Sequence, residues 1–256
     1  MLFKKAKSRR SETNRFRRVF LEQLEDRRLL TTFAVDTILD TVDVNPGNGV
    51  ALDAAGNTSL RAAIMEANAL SGDDTINLPA GFYELSITRD DVNDEPTGDL
   101  DITSNVTIIG AGADLTTIDA NQIDRVIDID GNASITGVTI TGGDRTGAYG
   151  GGIRIVDGIV QLDSVVVTDN YGRFGTGGIA NEGDLTITNS EISNNKTDFE
   201  AGAIWVYGNA GKATIRNTTI SGNEAANAGG IAVWKAGNSL ILENVTIYNN
   251  SAQFGG

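Results

Sequence analysis

The chain has 256 residues, with 31 glycines, 3 prolines, no cysteine and no histidine. The absence of histidine and cysteine excludes Ser-His-Asp catalysis, imidazole acid-base chemistry, disulfides and the usual zinc sites. A formal net charge of −14 opposes binding to nucleic-acid phosphates and anionic lipids, so we expect no nucleic-acid partner.

Residues 1–32 form a basic leader, with ten Lys and Arg against four Asp and Glu in the first 30 residues. Arg17-Arg18-Val19-Phe20-Leu21 partly resembles a twin-arginine export signal. No apolar run of about 7–15 residues follows it, so neither common secretion signal is complete. No stretch is long and apolar enough to span a bilayer, which predicts no transmembrane segment.

The leader ends in Leu21-Glu22-Gln23-Leu24-Glu25-Asp26-Arg27-Arg28-Leu29-Leu30. Through Glu25-Asp26-Arg27 and Leu29-Leu30, this stretch resembles the short LEPR-XLL motif at the N-terminus of many large bacterial surface proteins. The resemblance implies sorting to the cell exterior, so we expect a secreted or cell-surface protein. An amphipathic basic tail without a sorting role is the alternative interpretation.

Residues 33–86 contain an ordered series of short motifs. They are Phe33-Ala34-Val35-Asp36-Thr37, Asp40, Asp43, Pro46-Gly47, Thr58-Ser59-Leu60-Arg61-Ala62-Ala63-Ile64, Glu66-Ala67-Asn68, Asp74-Thr75-Ile76, Leu78-Pro79-Ala80-Gly81 and Tyr83. The series resembles the N-terminal region of proteins that carry a CSLREA domain, and we assign residues 33–99 to an N-terminal cap region. Members of that family usually carry cysteine where this chain has Ala51 and Thr58, so both of those cysteines are missing.

One short amphipathic helix is predicted in this cap region, because Leu60, Ile64 and Ala67 share one helical face. We expect the guanidinium of Arg61 to bind nearby carbonyls or a carboxylate within the cap. A catalytic role for Arg61 is the alternative.

An acidic loop follows at residues 89–99. Its closely spaced side-chain oxygens are hard ligands of the kind that calcium prefers. The candidate metal ligands are Asp90, Asp91, Asn93 and Asp94. The spacing does not match an EF-hand, because the positions of the glycine and the terminal glutamate do not fit. A solvated loop without a metal is the alternative, and calcium is the only cofactor that the sequence suggests.

From Gly150 onward the chain repeats itself. Ile153, Ile179, Ile204 and Ile231 each follow a Gly-Gly or Gly-Ala step, at intervals of 26, 25 and 27 residues. Apolar and polar residues alternate inside each unit, which predicts strands, and no ten-residue stretch has helical spacing. This pattern excludes leucine-rich, ankyrin and tetratricopeptide repeats, and the units are too short for propeller blades.

The repeat predicts an all-β fold, a right-handed single-stranded parallel β-helix (solenoid) whose coils of three short strands occupy residues 100–256. The short helix would then cover the unpaired strand edges of the first coil. Equivalent residues should lie about 4.8 Å apart in interior columns. The columns are Ile153/Ile179/Ile204/Ile231, Leu162/Ile187/Ile215/Leu242 and Val167/Ile192/Ile220/Ile247.

An asparagine column should form at one turn of the coil. It consists of Asn170, Asn195, Asn223 and Asn250. Asparagine tolerates left-handed backbone angles, and stacked amides can bond to one another along the ladder. We therefore expect left-handed backbone at these asparagines and a chain of amide hydrogen bonds.

Two outward columns of the first strand gather residues of one chemical kind. The first column is Asp101, Asp128, Arg154, Ala180, Trp205 and Ala232, and the second is Thr103, Asp130, Val156, Glu182, Tyr207 and Trp234. They predict an acidic cluster with one arginine and, further along, an aromatic cluster of Trp205, Tyr207 and Trp234.

The acidic cluster has three interpretations. Asp101 and Asp128 are candidate calcium ligands. Asp128, Asp130 and Arg154 are candidate catalytic residues, with Arg154 as the base of a polysaccharide lyase. In the third interpretation the cluster is a surface ladder, in which Arg154 partly neutralises Asp128.

The aromatic cluster is the candidate ligand-binding site. Exposed rings on a strand ladder can stack on sugars or on a partner protein. Burial of Trp205, Tyr207 and Trp234 under a loop such as residues 196–200 is the alternative.

The repeats, with steps such as Gly229-Gly230-Ile231, resemble those of bacterial β-helix surface proteins, including polymorphic outer-membrane proteins and autotransporter-like adhesins. Similar repeats occur in the pectate-lyase-like superfamily, but a shared fold does not transfer an activity. We therefore predict an exported cell-surface β-helix with a structural or adhesive role and no catalysis. Its partner would be an extracellular glycan or another surface protein. The alternative is a polysaccharide lyase or hydrolase of the pectate-lyase-like type that acts on acidic glycans.

The last repeat has no polar cap of the kind that solenoids require. We therefore expect either a continuation in a longer chain or end-to-end association with another chain.

Overall fold

The computed structural model describes residues 30–89, 97–145, 147 and 149–254. Within this part of the chain the strands form four parallel sheets, and there is one short helix. The predicted all-β, right-handed single-stranded parallel β-helix with a short helix is confirmed. The leader up to residue 29 and the calcium candidates Asp90, Asp91, Asn93 and Asp94 lie outside the described residues.

The elements are short, and their bounds follow in chain order. The first are β1 Thr32–Ala34, α1 Leu60–Ala69, β2 Asp73–Leu78, β3 Gly81–Glu84, β4 Leu100–Ile102, β5 Asn105–Gly110, β6 Thr116–Asp119, β7 Ile127–Asp130, β8 Ala133–Thr136, β9 Thr139–Thr141 and β10 Asp144–Arg145. The next are β11 Ile153–Asp157, β12 Ile159–Asp163, β13 Val166–Thr168, β14 Tyr171–Gly172, β15 Ile179–Asn181, β16 Asp184–Thr188, β17 Glu191–Ser193 and β18 Lys196–Thr197. The last are β19 Ile204–Val206, β20 Lys212–Arg216, β21 Thr219–Ser221, β22 Glu224–Ala225, β23 Ile231–Val233, β24 Ser239–Glu243, β25 Thr246–Tyr248 and β26 Ser251–Ala252.

Each strand pairs with the equivalent strand of the neighbouring coil. The described strands form an eight-stranded sheet (β1-β2-β5-β8-β12-β16-β20-β24), a seven-stranded sheet (β3-β6-β9-β13-β17-β21-β25), a six-stranded sheet (β4-β7-β11-β15-β19-β23) and a five-stranded sheet (β10-β14-β18-β22-β26). The five-stranded sheet adds a fourth, two-residue strand to the three predicted per coil. Because β1, β2 and β3 also belong to these sheets, the paired strands extend back to Thr32 and include strands of the predicted cap region 33–99.

The predicted interior columns are confirmed by the register of the strands. Ile153 pairs with Ile179, and the aliphatics of the other two columns pair in the same way. Burial of each such side chain stabilises the fold by about 1.5–3 kcal/mol. In the last coil, Leu242 and Ile247 are 43% and 47% exposed. End-to-end association or continuation of the chain stays a prediction.

The asparagine column forms the predicted chain of amide hydrogen bonds. Asn170 Nδ2 donates to Asn195 Oδ1 at 3.0 Å, and Asn195 Nδ2 donates to Asn223 Oδ1 at 3.0 Å. Asn223 Nδ2 continues the chain to Asn250 Oδ1 at 2.8 Å. Each acceptor oxygen also receives the backbone N–H of the preceding asparagine, so identical side chains satisfy one another inside the stack.

The prediction of left-handed backbone angles at these asparagines is wrong, because the left-handed residue is the one before each asparagine. The residue before each column member adopts the positive φ, as at Asp169 (54°), Asn194 (55°), Gly222 (66°) and Asn249 (54°). The preceding residue turns the chain, and the column asparagine then directs its amide into the turn. Left-handed angles favour Asn, Asp and Gly, which explains the residue types at this position.

The helix α1 closes the N-terminal end of the stack. Ser59 caps it by accepting a hydrogen bond from the Ala62 N–H, and Leu60, Ile64 and Ala67 are buried in the core. Thr58 Oγ1 donates to the Ala51 carbonyl oxygen at 2.8 Å. The two positions at which relatives of the resembled family carry cysteine are therefore in contact.

Arg61 performs the predicted structural role in the cap. Its Nε donates to Asp40 Oδ1 at 2.6 Å, and its two terminal nitrogens donate to the carbonyl oxygens of Gly98 and Asp99 at 2.8 and 3.0 Å. The side chain is buried, so the guanidinium is held entirely by protein groups. Arg61 thus joins the helix to the segment that enters the strand β4.

We expect Asn195→Ala to lower the free energy of unfolding by about 2–4 kcal/mol. The buried donors of Asn170 would lose their acceptor, and the buried oxygens of Val167 and Asn223 would lose an amide donor. Urea denaturation measures the loss. Asn209→Ala is the matched control, since the Asn209 side chain is exposed, and it should change stability by no more than about 0.5 kcal/mol. Equal effects of the two substitutions would show that the ladder contributes no stability.

Candidate functional site

The outward face of the six-stranded sheet carries both predicted clusters. Asp128 lies opposite Asp101 on one side and Arg154 on the other, which confirms the first outward column. The second column contains one error. Asp130 pairs with Asp157 and not with Val156, because the register shifts between Ile155 and Asp157. Asp130 is exposed, and the bulge moves it out of line with Arg154.

Arg125 is the central charged residue of this face, and the sequence analysis missed it. Its Nε lies 2.8 Å from Asp99 Oδ2, and its Nη2 lies 3.0 Å from Asp128 Oδ2. Its Nη1 donates to the Tyr149 carbonyl oxygen at 2.8 Å. Arg154 Nη1 approaches the same Asp128 oxygen at 3.3 Å. Arg125 precedes the strand β7 in an irregular segment, so no column of the repeat includes it.

Three carboxylates converge beside Arg125. Oxygens of Asp99, Asp101 and Asp128 lie within 4.8 Å of one another in the described part of the chain. The structure therefore brings together the predicted calcium ligands Asp101 and Asp128 and adds Asp99. Arg125 already forms ion pairs with Asp99 and Asp128, so its positive charge occupies the place that a cation would take. Calcium binding stays a prediction.

The aromatic cluster is covered over most of its area. Trp205 and Tyr207 are only 5% and 7% exposed, whereas Trp234 is 45% exposed. The interpretation in which all three rings are exposed is therefore wrong for Trp205 and Tyr207. The covering ring is Tyr149, which meets Trp205 edge-on at 5.0 Å and Tyr207 at 5.2 Å. The covering segment thus differs from the predicted loop 196–200, whose Phe199 packs on Phe174 instead.

Several polar atoms on this face are buried without a hydrogen-bond partner. Among the described residues they are Asp128 Oδ1, Arg154 Nε, Trp205 Nε1 and Tyr207 Oη. Each buried and unsatisfied group costs about 1–3 kcal/mol. Such groups are few in native proteins, and each calls for an explanation. The sequence gives no sign of them, because they depend on the tertiary packing of this face.

The environment shifts the pKa of Asp128 and of Tyr207. Burial raises the pKa of Asp128, and the guanidinium groups of Arg125 and Arg154 only partly offset this effect. Burial and the nearby Glu182 carboxylate raise the pKa of Tyr207. The Tyr207 hydroxyl, which lies near the Glu182 carboxylate and the Arg154 guanidinium, therefore stays neutral at physiological pH.

An open groove of about 450 Å³ lies over these residues. It is lined by Gly147, Tyr149, Arg154 and Phe174. The rings of Tyr149 and Phe174 are partly exposed at its walls. The volume lies within the range of about 300–1,000 Å³ that is usual for small-ligand sites.

Comparisons with protein-family models, with curated proteins and with solved structures found no match for this chain. Within the described residues, no helix is long and apolar enough to cross a membrane.

We expect the pH dependence of stability to reveal the buried Asp128. Its folded-state pKa lies above the ordinary value of 3.8, so the folded chain binds this proton more tightly than the unfolded chain. The resulting contribution to the free energy of unfolding is present below pH 3.8 and is lost as the pH rises through the folded pKa. Urea unfolding at a series of pH values should show this loss in the native chain and not in Asp128→Asn. Asp130→Asn, on the same strand, is the matched control and should retain it.

The two tryptophans should differ sharply in their contribution to stability. We expect Trp205→Ala to lower the free energy of unfolding by about 3–5 kcal/mol, as for other buried aromatics. Trp234→Ala should lower the free energy of unfolding by no more than about 1 kcal/mol, because this ring is partly exposed. Denaturation curves measure both values, and similar losses for the two variants would contradict the assigned burial.

Proposed function

We propose that this chain is an exported, cell-surface β-helix with a structural or adhesive role, and that it binds a partner on the outward face of the six-stranded sheet. The observation that carries the proposal is the set of unsatisfied buried polar atoms beneath a groove with aromatic walls. Buried polar groups without a partner are few in native proteins, and a bound ligand would supply the partner here. The partner is an extracellular glycan or another surface protein.

Three features of the chain support an extracellular location and a structural role. The leader resembles the LEPR-XLL sorting motif. The acidic body is suited to a solvated surface, and the stacked coils form a rigid rod with outward columns of side chains. Such a rod presents its ligand-binding face without the need for a mobile loop.

The alternative, a polysaccharide lyase or hydrolase, is less well supported. A lyase base must accept a proton, and Arg154 is poorly suited to this task. Burial lowers the pKa of Arg154, but the neighbouring Asp128 and Tyr207 groups outweigh burial and raise it, so the guanidinium stays protonated. Asp128 is committed to ion pairs with Arg125 and Arg154, and Asp130 is displaced by the bulge. We therefore propose that the chain has no catalytic activity.

The location is tested with the full chain expressed in a bacterium that exports LEPR-XLL proteins. We expect antibodies against the β-helix to label intact cells, and external protease to remove the label. Cells that are labelled only after lysis would contradict the surface role. An unrelated cytoplasmic protein serves as the control for cell integrity.

The absence of catalysis is tested with polygalacturonate and alginate, each with and without calcium. We expect no unsaturated uronate to form, as measured by ultraviolet absorbance, and no new reducing ends. Activity that disappears in Arg154→Gln or Asp128→Asn but persists in Asp130→Asn would establish the lyase alternative.

A further inference from the structure

We propose that the ligand of the groove is a neutral carbohydrate chain, which lies along Tyr149, Phe174 and Phe199 with a hydroxyl group directed toward Arg154 and Asp128. This inference rests on the proposed function and names the class of ligand for the same face. Four properties of the face lead to it, namely its charge, the exposure of Arg154, the mixture of hydrogen-bonding groups and the placement of the exposed rings.

The charge of the face opposes an anionic ligand. The charged groups described on this face are mostly acidic. The acidic groups are Asp99, Asp101, Asp128, Asp130 and Glu182, and the basic groups beside them are Arg125 and Arg154. Both arginines already lie beside carboxylates. A uronate would therefore meet a negative potential on this face. A neutral sugar would not be repelled by it.

Arg154 can reach the ligand. Its side chain is 30% exposed and lines the groove. The contact of 3.3 Å to Asp128 is longer than the roughly 2.7–2.9 Å of a strong charge-assisted hydrogen bond. A turn of the guanidinium toward the groove would therefore break only this one long contact to Asp128 Oδ2, which keeps its ion pair with Arg125.

The unsatisfied groups include both donors and acceptors. Asp128 Oδ1 can only accept a hydrogen bond, and Arg154 Nε can only donate one. A sugar hydroxyl donates and accepts at one atom, so it can serve an acceptor and a donor that lie side by side. A ligand that only donates or only accepts would leave one of the pair unsatisfied, which is costly in a buried site.

The exposed rings are placed for an extended chain of sugars. Tyr149 and Phe174 form walls of the groove, and Phe199 of the next coil lies 5.3 Å from Phe174, measured between ring centroids. All three rings are partly exposed. Aromatic faces stack on the apolar C–H faces of sugar rings, and rings on successive coils repeat along the axis of the rod. A linear oligosaccharide can therefore contact several of them at once.

The test is calorimetric titration of the full chain with a panel of neutral hexasaccharides of different linkage and with an oligogalacturonate of equal length. We expect at least one neutral oligosaccharide to bind and the oligogalacturonate to bind more weakly. Arg154→Gln and Phe174→Ala should each raise Kd about tenfold or more. Phe82→Ala, which removes an exposed ring on the seven-stranded sheet, is the matched control and should leave Kd unchanged. Unfolding curves confirm that each variant is folded.

The possible outcomes separate this inference from the proposed function. Preferential binding of the oligogalacturonate would overturn the neutral ligand while leaving a glycan-binding face. If a neutral sugar binds but Arg154→Gln and Phe174→Ala leave its Kd unchanged, the site lies elsewhere and the inference is overturned. If no saccharide of the panel binds, the inference is wrong, whereas the surface role is decided independently by the labelling of intact cells.

Discussion

The in-register stacking of parallel strands is the constraint on which the rest of this structure depends. Within the described strands, each side chain lies beside its equivalent in the next coil, so a strand position must tolerate contact with residues of its own type. Isoleucine, leucine and valine meet this condition inside the coil through dispersion and burial. Buried asparagine meets it because its amide is both donor and acceptor, and Asn195 can satisfy Asn170 and Asn223 at once. A residue with only donors or only acceptors cannot form such a column.

A second set of interactions links the cap to the coils. Arg61 holds the carbonyls of Gly98 and Asp99, and Arg125 binds the Asp99 side chain and Asp128. Buried ion pairs of this kind have a large desolvation cost, so their net contribution to stability is small. Their effect here is positional. Arg125 also fixes the Tyr149 carbonyl, and thereby places the Tyr149 ring over Trp205.

The candidate site lies where the stacked coils meet the irregular segments that carry Arg125 and Tyr149. The repeat aligns Asp128 with Arg154 and brings Trp205 onto the same outward face. The irregular segments then add Arg125 and Tyr149, which bury polar atoms that the repeat alone would leave in water. A groove with donors, acceptors and aromatic walls results from this overlap, and no single coil contains it.

The sequence by itself determined the fold class, the interior and outward columns, the helix around Leu60 and the structural role of Arg61. These features follow from periodicity and local spacing, and the periodic pattern recurs in each repeat unit. The tertiary structure alone decided the bulge beside Asp157, the left-handed residue before each column asparagine, the partners of Arg125 and the cover that Tyr149 provides. Tyr149 and Trp205 are far apart in the chain, and Arg125 lies in a segment without a repeat. Their contacts depend on where irregular loops cross the stack, and periodicity carries no information about that path.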